Sequence, residues 1–105
     1  MNPITYPPAL VRATLPTAVL ACLAQENLHG YGLAARLEEL GYGRLRGGSL
    51  YPALSKLEEA GYVTTTWTEG ESGPARRQYQ LTDAGARQLA SERETLARLA
   101  RTLGV

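Results

Sequence analysis

The chain is poor in the residues from which active sites are usually built, with one cysteine and one histidine among its 105 residues and a single aspartate, Asp83. Cys22 alone cannot close an internal disulfide. It sits inside an apolar run, where a reduced thiol behaves as a small hydrophobe, so a reducing cytoplasm is the expected compartment. His29 precedes a glycine in a turn, where capping or solvation accounts for it, and no nucleophile–base–acid triad can be assembled around it. One Cys, one His and one Asp supply no ligand set at any standard metal spacing. The glycine clusters Gly41-Tyr42-Gly43 and Gly47-Gly48-Ser49 lack the lysine of a phosphate loop and do not follow a strand. Neither an enzyme nor a cofactor or metal is expected.

Long hydrophobic runs are also missing. The longest, Ala18 to Ala24, is seven residues, against the ~20 needed to cross a bilayer. No basic segment leads into an apolar stretch near the N-terminus, so neither membrane insertion nor export is expected. Net charge is close to nil, +1 at pH 7, and decides nothing about nucleic acid, because binding depends on where charges sit. There is no repeat, no low-complexity tract and no length for a second domain. A globule of this size buries about two thirds of the surface of its unfolded chain, so one modest core must serve.

What is present is ordered by periodicity. Residues 1–13 carry Pro3, Pro7 and Pro8 and read as an extended arm, with Thr14 as N-cap of a first helix and Pro16 in its first turn. Leu15 to Gln25 is apolar on every face, as in a helix at the centre of a small domain. A second helix carries Leu33, Leu37 and Leu40 on one face, with Gly41 as its C-cap. A third, capped at Ser49 or an adjacent glycine, runs to Ala60 and closes at Gly61, with Pro52 tolerated in its first turn. From Val63 the period changes to two. Val63, Thr65 and Trp67 alternate with threonines, and Arg77, Tyr79 and Leu81 answer across a loop holding Gly70, Gly73 and Pro74. Thr82 caps a last helix that runs to about Thr102, with Asp83 favourably placed in its first turn.

Helix, helix, helix, hairpin, long helix is the order of a winged helix-turn-helix. The expected fold class is therefore mainly α with a small β-hairpin (α+β). Its organisation is an arm (1–13), a winged helix-turn-helix (14–82) and a C-terminal dimerisation helix (83–105). On a helical wheel, Leu50, Ala53, Leu54 and Leu57 of helix three face the core. Gly48, Ser49, Pro52, Ser55, Lys56 and Glu59 face outward, with Tyr51 on the flank. From Arg44 through Lys56 there are three cations and no anion, and a second acid-free stretch, Ser72 to Gln80, holds Arg76 and Arg77. Arginines on a wing typically reach phosphates or the minor groove. Singly, any of these cations could be a solvated surface residue. Jointly, they sit at the two points where such a fold docks on DNA.

In the last helix Leu89, Leu96 and Leu103 recur every seven residues with Leu99 beside them. This is a narrow stripe suited to a partner helix, on an element ~30 Å long that outreaches so small a body. Trp67, an aromatic on an alternating strand, is expected to pack on the core or within the hairpin.

The segments Leu28-His29-Gly30-Tyr31-Gly32, Gly48-Ser49-Leu50-Tyr51-Pro52-Ala53-Leu54, Lys56-Leu57-Glu58 and Arg76-Arg77-Gln78-Tyr79-Gln80-Leu81-Thr82, with Gly61 and Gly85, resemble the PadR family of bacterial transcriptional regulators. The resemblance covers roughly Arg12 to Gly85 and implies a homodimeric, usually repressing protein that binds double-stranded operator DNA. It would place Ser49 and Tyr51 at the DNA-facing start of the reading helix with Lys56 beside them, Tyr31 near a phosphate, and Arg76 and Arg77 on the wing. Family members commonly carry Ser-Pro just ahead of helix three. Here Arg46-Gly47 stands there, which loosens the turn and adds a candidate phosphate contact at Arg46. Several relatives bind an aromatic or drug-like effector between protomers, but the last helix has no aromatic residue for stacking. The competing reading is a winged helix used only for protein contacts, which leaves the paired cationic patches unexplained.

Overall fold

The first helix begins earlier than its proline pattern suggests. In the computed structural model, which describes residues 5–45, 47–70 and 73–105, α1 spans Pro8–Gln25 with Pro7 as its N-cap. The rule that favours proline in an opening turn, where the absent N–H has no partner to lose, applies at Pro8 rather than at Pro16. Pro16 lies inside the helix. Thr14 is not a cap: its hydroxyl donates to the Leu10 carbonyl at 2.7 Å and lies 2.6 Å from the Tyr42 hydroxyl. Order therefore reaches back into the expected arm. The Tyr6 amide donates to the Gly41 carbonyl, and the Tyr6 ring meets Tyr42 edge-on at 6.0 Å.

By length and apolarity α1 could pass for a membrane-crossing segment. Its Leu15, Val19, Leu20, Cys22 and Leu23 instead form the centre of the core. It touches α2 (Gly30–Leu37), α3 (Gly47–Glu59), the sheet and α4 (Asp83–Thr102). Burying each leucine side chain fully is worth about 1.5–3 kcal/mol. Burial also pushes the Cys22 thiol above its ordinary pKa, with Arg36 opposing in part.

After α1 the chain makes a strand too short to show any periodicity. β1, Leu28–His29, pairs antiparallel with β3 (Gly73–Leu81), and β3 in turn pairs with β2 (Val63–Gly70), giving the order β1-β3-β2. The expected hairpin is thus a three-stranded sheet. His29 is neither a side-chain cap nor simply solvated: its Nδ1 lies 3.2 Å from the Arg77 carbonyl, donating in the tautomer that carries hydrogen there. α2 ends at Leu37 rather than Leu40, and a wider π-type turn over Glu38–Tyr42 carries the chain away. Gly41 there adopts the expected left-handed backbone at φ 101°.

α3 buries Leu50, Leu54 and Leu57, as its periodicity requires. Pro52 lies inside the helix, beyond the first turn, because the helix opens at Gly47. Its C-terminus is a Schellman closure: with Gly61 at φ 81°, the Tyr62 amide reaches the Leu57 carbonyl and the Gly61 amide the Glu58 carbonyl, both at 3.0 Å. α4 is capped as expected, its Gly85 amide donating to the Thr82 hydroxyl oxygen at 3.0 Å. The two helix ends interlock. The Thr82 amide donates to the Tyr62 carbonyl at 3.1 Å, and the Thr82 hydroxyl donates to the Gly61 carbonyl at 2.6 Å. A Cβ at Gly85 would overlap that Tyr62 carbonyl oxygen, so the first turn of α4 lies directly on the α3–β2 turn only because position 85 is glycine.

Candidate nucleic-acid interface

The outward face of α3 is made of small and polar residues. Gly48, Ser49, Pro52, Ser55 and Lys56 are all exposed, and Tyr51 is half exposed. Arg46 lies outside the described residues. Tyr51 leans over the start of α2, where a Cβ on Gly30 would come within 2.8 Å of its hydroxyl. A side chain at position 30 would therefore push the end of the Tyr51 ring aside. Next to it Tyr31 is 83% exposed, a polar-tipped ring with no place in the core.

Two flanks border this face. On one, Lys56 shares a hollow with Ser49, Pro52 and Arg12 of α1. Neither cation has an acidic partner among the described residues. Arg12 is the contributor that sequence reasoning missed, and a helix start placed at Pro8 would have found it.

The other flank is the wing. Here the two adjacent arginines part company, since successive residues of a strand point to opposite faces. Arg76 is the register partner of Thr68 and is exposed, whereas Arg77 is the partner of Trp67 on the face that continues from Val63 and Tyr79. Arg77 donates to both Glu58 carboxylate oxygens, at 3.0 and 3.2 Å, and to the Thr65 hydroxyl at 3.2 Å. Its guanidinium carbon stands 5.6 Å from the centroid of the Tyr79 ring. Thr65 donates to Glu58 as well, at 3.1 Å. This network ties the wing to the C-terminal half of α3. Glu58, near the C-terminal end of α3, is one end of it. Both partners are more than a third exposed, and such pairs are worth about 0–1 kcal/mol, so the network fixes geometry more than it stabilises the fold. The Tyr79 hydroxyl behind it is pushed above its ordinary pKa by burial, with Arg77 opposing, and stays neutral.

Trp67 departs from expectation. It is 69% exposed rather than packed in core or hairpin, at the edge of a hollow it shares with Tyr31 and Tyr51.

The leucine stripe of α4 divides. Leu89 is buried in the chain's own core, in the part of α4 that lies on α1, where the Thr17 hydroxyl donates to Glu92 at 2.6 Å. It is therefore no part of an outward-facing seam. Leu96, Leu99 and Leu103 are 39%, 50% and 71% exposed.

Among the described residues no group of His, Cys, Asp and Glu could hold a metal ion. Three helices, a third helix with a small polar face and a sheet-borne wing beside it define a winged helix-turn-helix transcription regulator. Residues 19–91 match the Transcriptional regulator PadR-like family, and the chain belongs to that family of regulators, which are not enzymes. It is 37% identical over 90 residues to the transcriptional regulator Rv3488 of Mycobacterium tuberculosis, covering 86% of this chain and 82% of that one. It is 40% identical over 81 residues to an uncharacterised 37.1 kDa protein of transposon TN4556 from Streptomyces fradiae, covering 77% of this chain but only 22% of that protein. Among solved structures, a PadR family regulator from Eggerthella lenta superposes with a TM-score of 0.83 at 32% identity over 91% of this chain and 83% of that one. Bacillus subtilis PadR in complex with operator DNA superposes with a TM-score of 0.67 at 30% identity over 74% of this chain and 46% of that one.

Proposed function

We propose that this regulator acts as a homodimeric repressor on a pseudo-palindromic operator, reading bases with α3 and holding the flanking backbone with Arg12, Lys56 and Arg76. The observation that carries this reading is the placement of a small polar helix face between two cationic flanks, with Glu58 beside the wing already paired to Arg77. The relative crystallised with operator DNA supports it. Ser49, Pro52, Ser55 and Tyr51 are the residues positioned to meet base edges, Tyr31 a phosphate. The exposed Leu96, Leu99 and Leu103 supply the dimer contact and set the spacing of two half-sites, whose centres lie ~34–36 Å apart or a multiple of that. A releasing effector lodged between protomers would meet a leucine-lined seam, with no aromatic side chain on α4 to stack on. The work of such a protein lies in the cytoplasm, where operators are.

Selection of bound duplexes from random sequence, followed by titration at two salt concentrations, tests the reading. A steep negative slope of log K against log salt is expected, because each neutralised phosphate releases counterions. Arg76→Ala should lower that slope by about one while leaving stability intact. Binding without salt dependence, or no selected sequence, sinks it in favour of a protein-contact module.

A further inference from the structure

Trp67 has no role in the fold and none in a purely electrostatic reading of the wing. Its ring lies on the face of the sheet that is buried at Val63 and Tyr79. At position 67 that face opens onto a cleft rather than onto packed core, and 69% of the residue is open to solvent. An indole left in water forgoes a large apolar burial, which is available to whatever covers it.

The surroundings say what that partner offers. Trp67, Tyr31 and Tyr51 rim a cleft between α2, α3 and the wing whose other walls include His29, Arg76 and Arg77. Three exposed aromatic faces beside guanidinium groups suit a ligand that is both anionic and apolar along its length. A sugar–phosphate strand has that character, with phosphates alternating with deoxyribose rings. With α3 in the major groove, the wing beside it would face the adjoining minor groove, and the strand dividing the two grooves would pass through this cleft. The Glu58–Arg77 pair fits the same picture. It cancels the one acidic side chain of α3 that faces the wing, and it braces the strand segment opposite Trp67 against α3.

We propose that Trp67 is a DNA-contacting residue that packs on the deoxyribose of one strand seated in this cleft, supplying affinity that does not depend on salt. Arg76 takes a phosphate of that strand, and Arg77 acts as a brace. The inference rests on the DNA-binding reading above and adds to it a contact that is apolar.

The test uses the intact protein and a duplex selected from random sequence. Trp67 is the sole tryptophan, so intrinsic indole emission reports on this position alone. Emission should shift or quench as duplex is added and saturate together with the anisotropy of labelled duplex. Trp67→Ala should weaken binding roughly tenfold by removing buried apolar area, with the salt slope unchanged, whereas Arg76→Ala lowers the slope. Trp67→Phe should restore part of the loss. Because the side chain is exposed, circular dichroism and the Tm of both variants should match wild type. If anisotropy reports tight binding while emission stays constant, or if Trp67→Ala binds as wild type does, the Trp67 contact is overturned and the regulator reading stands. If wild-type protein fails to bind duplex at all, both fall.

Discussion

α3 and α4 are written with nearly the same alphabet of spaced leucines, yet they end in different surroundings. In α3 Leu50, Leu54 and Leu57 are all buried, none more than 6% exposed. In α4 only Leu89 is buried, and exposure climbs through Leu96 and Leu99 to Leu103 at the end. The difference is one of support. α3 lies between α1 and β2 along its leucine face, whereas α4 rests on α1 as far as Glu92 and then projects, which contributes to the 51 × 36 × 22 Å shape. Periodicity shows that a face is apolar. It does not show what covers it.

Truncations along the two leucine rows should therefore separate. Leu54→Ala removes a side chain that is 1% exposed from a packed site and should cost about 2–5 kcal/mol. That corresponds to a fall in Tm of at least ~8 °C for a domain of this size, read by thermal denaturation. Leu103→Ala in the same assay, at protein concentrations low enough to hold the monomer, should change stability by less than about 0.5 kcal/mol. Equal losses at the two positions would break the comparison. A smaller but more telling effect concerns association. Replacing Leu96 and Leu99 together by serine should move the sedimentation coefficient to that of a monomer without lowering the monomer's stability, and should weaken operator binding with it. If wild type is already monomeric at micromolar concentration, the projecting half of α4 has another use.

The smallest effect tests the core beneath both helices. Cys22 has its thiol pKa raised by burial in the folded chain, so the neutral thiol contributes stability that is fully present below the unfolded value. That contribution fades as pH rises through the ordinary thiol range toward the folded value. Raising the pH from about 8 to about 10 should lower the urea midpoint more in wild type than in Cys22→Ala. Identical pH profiles would show that the thiol does not titrate differently in the folded chain.

Much of this architecture is legible in the sequence. The outward face of α3, the left-handed glycines Gly41 and Gly61, the Thr82 cap and the alternation of both wing strands all follow from local rules, because each is decided within a few residues. What escaped was decided at a distance. β1 exists only because Leu28 and His29 find Tyr79 and Gln78 some fifty residues on, and two residues carry no period of their own. Arg77 and Glu58 lie 19 residues apart in the chain and meet because the Schellman turn folds β2 back along α3. Nothing local distinguishes Arg77, held by a carboxylate, from its neighbour Arg76, which borders the same cleft with no acidic partner among the described residues. Trp67 and Leu89 depart from their local patterns in opposite senses, one exposed and one buried, because what covers a face is a property of the packed whole. The start of α1 differs in kind: two prolines eight residues apart each suit an opening turn, and Pro8 takes that place first.

The junction at Tyr62 has a mechanical meaning. The wing leaves α3 and arrives at α4 through the same knot of main chain, where the Tyr62 carbonyl takes the Thr82 amide and Gly85 leaves no side-chain cushion between the helices. Backbone against backbone does not yield as a leucine does. The projecting half of α4 is thus joined to the root of β2 and the end of α3 through main-chain contacts rather than through side chains.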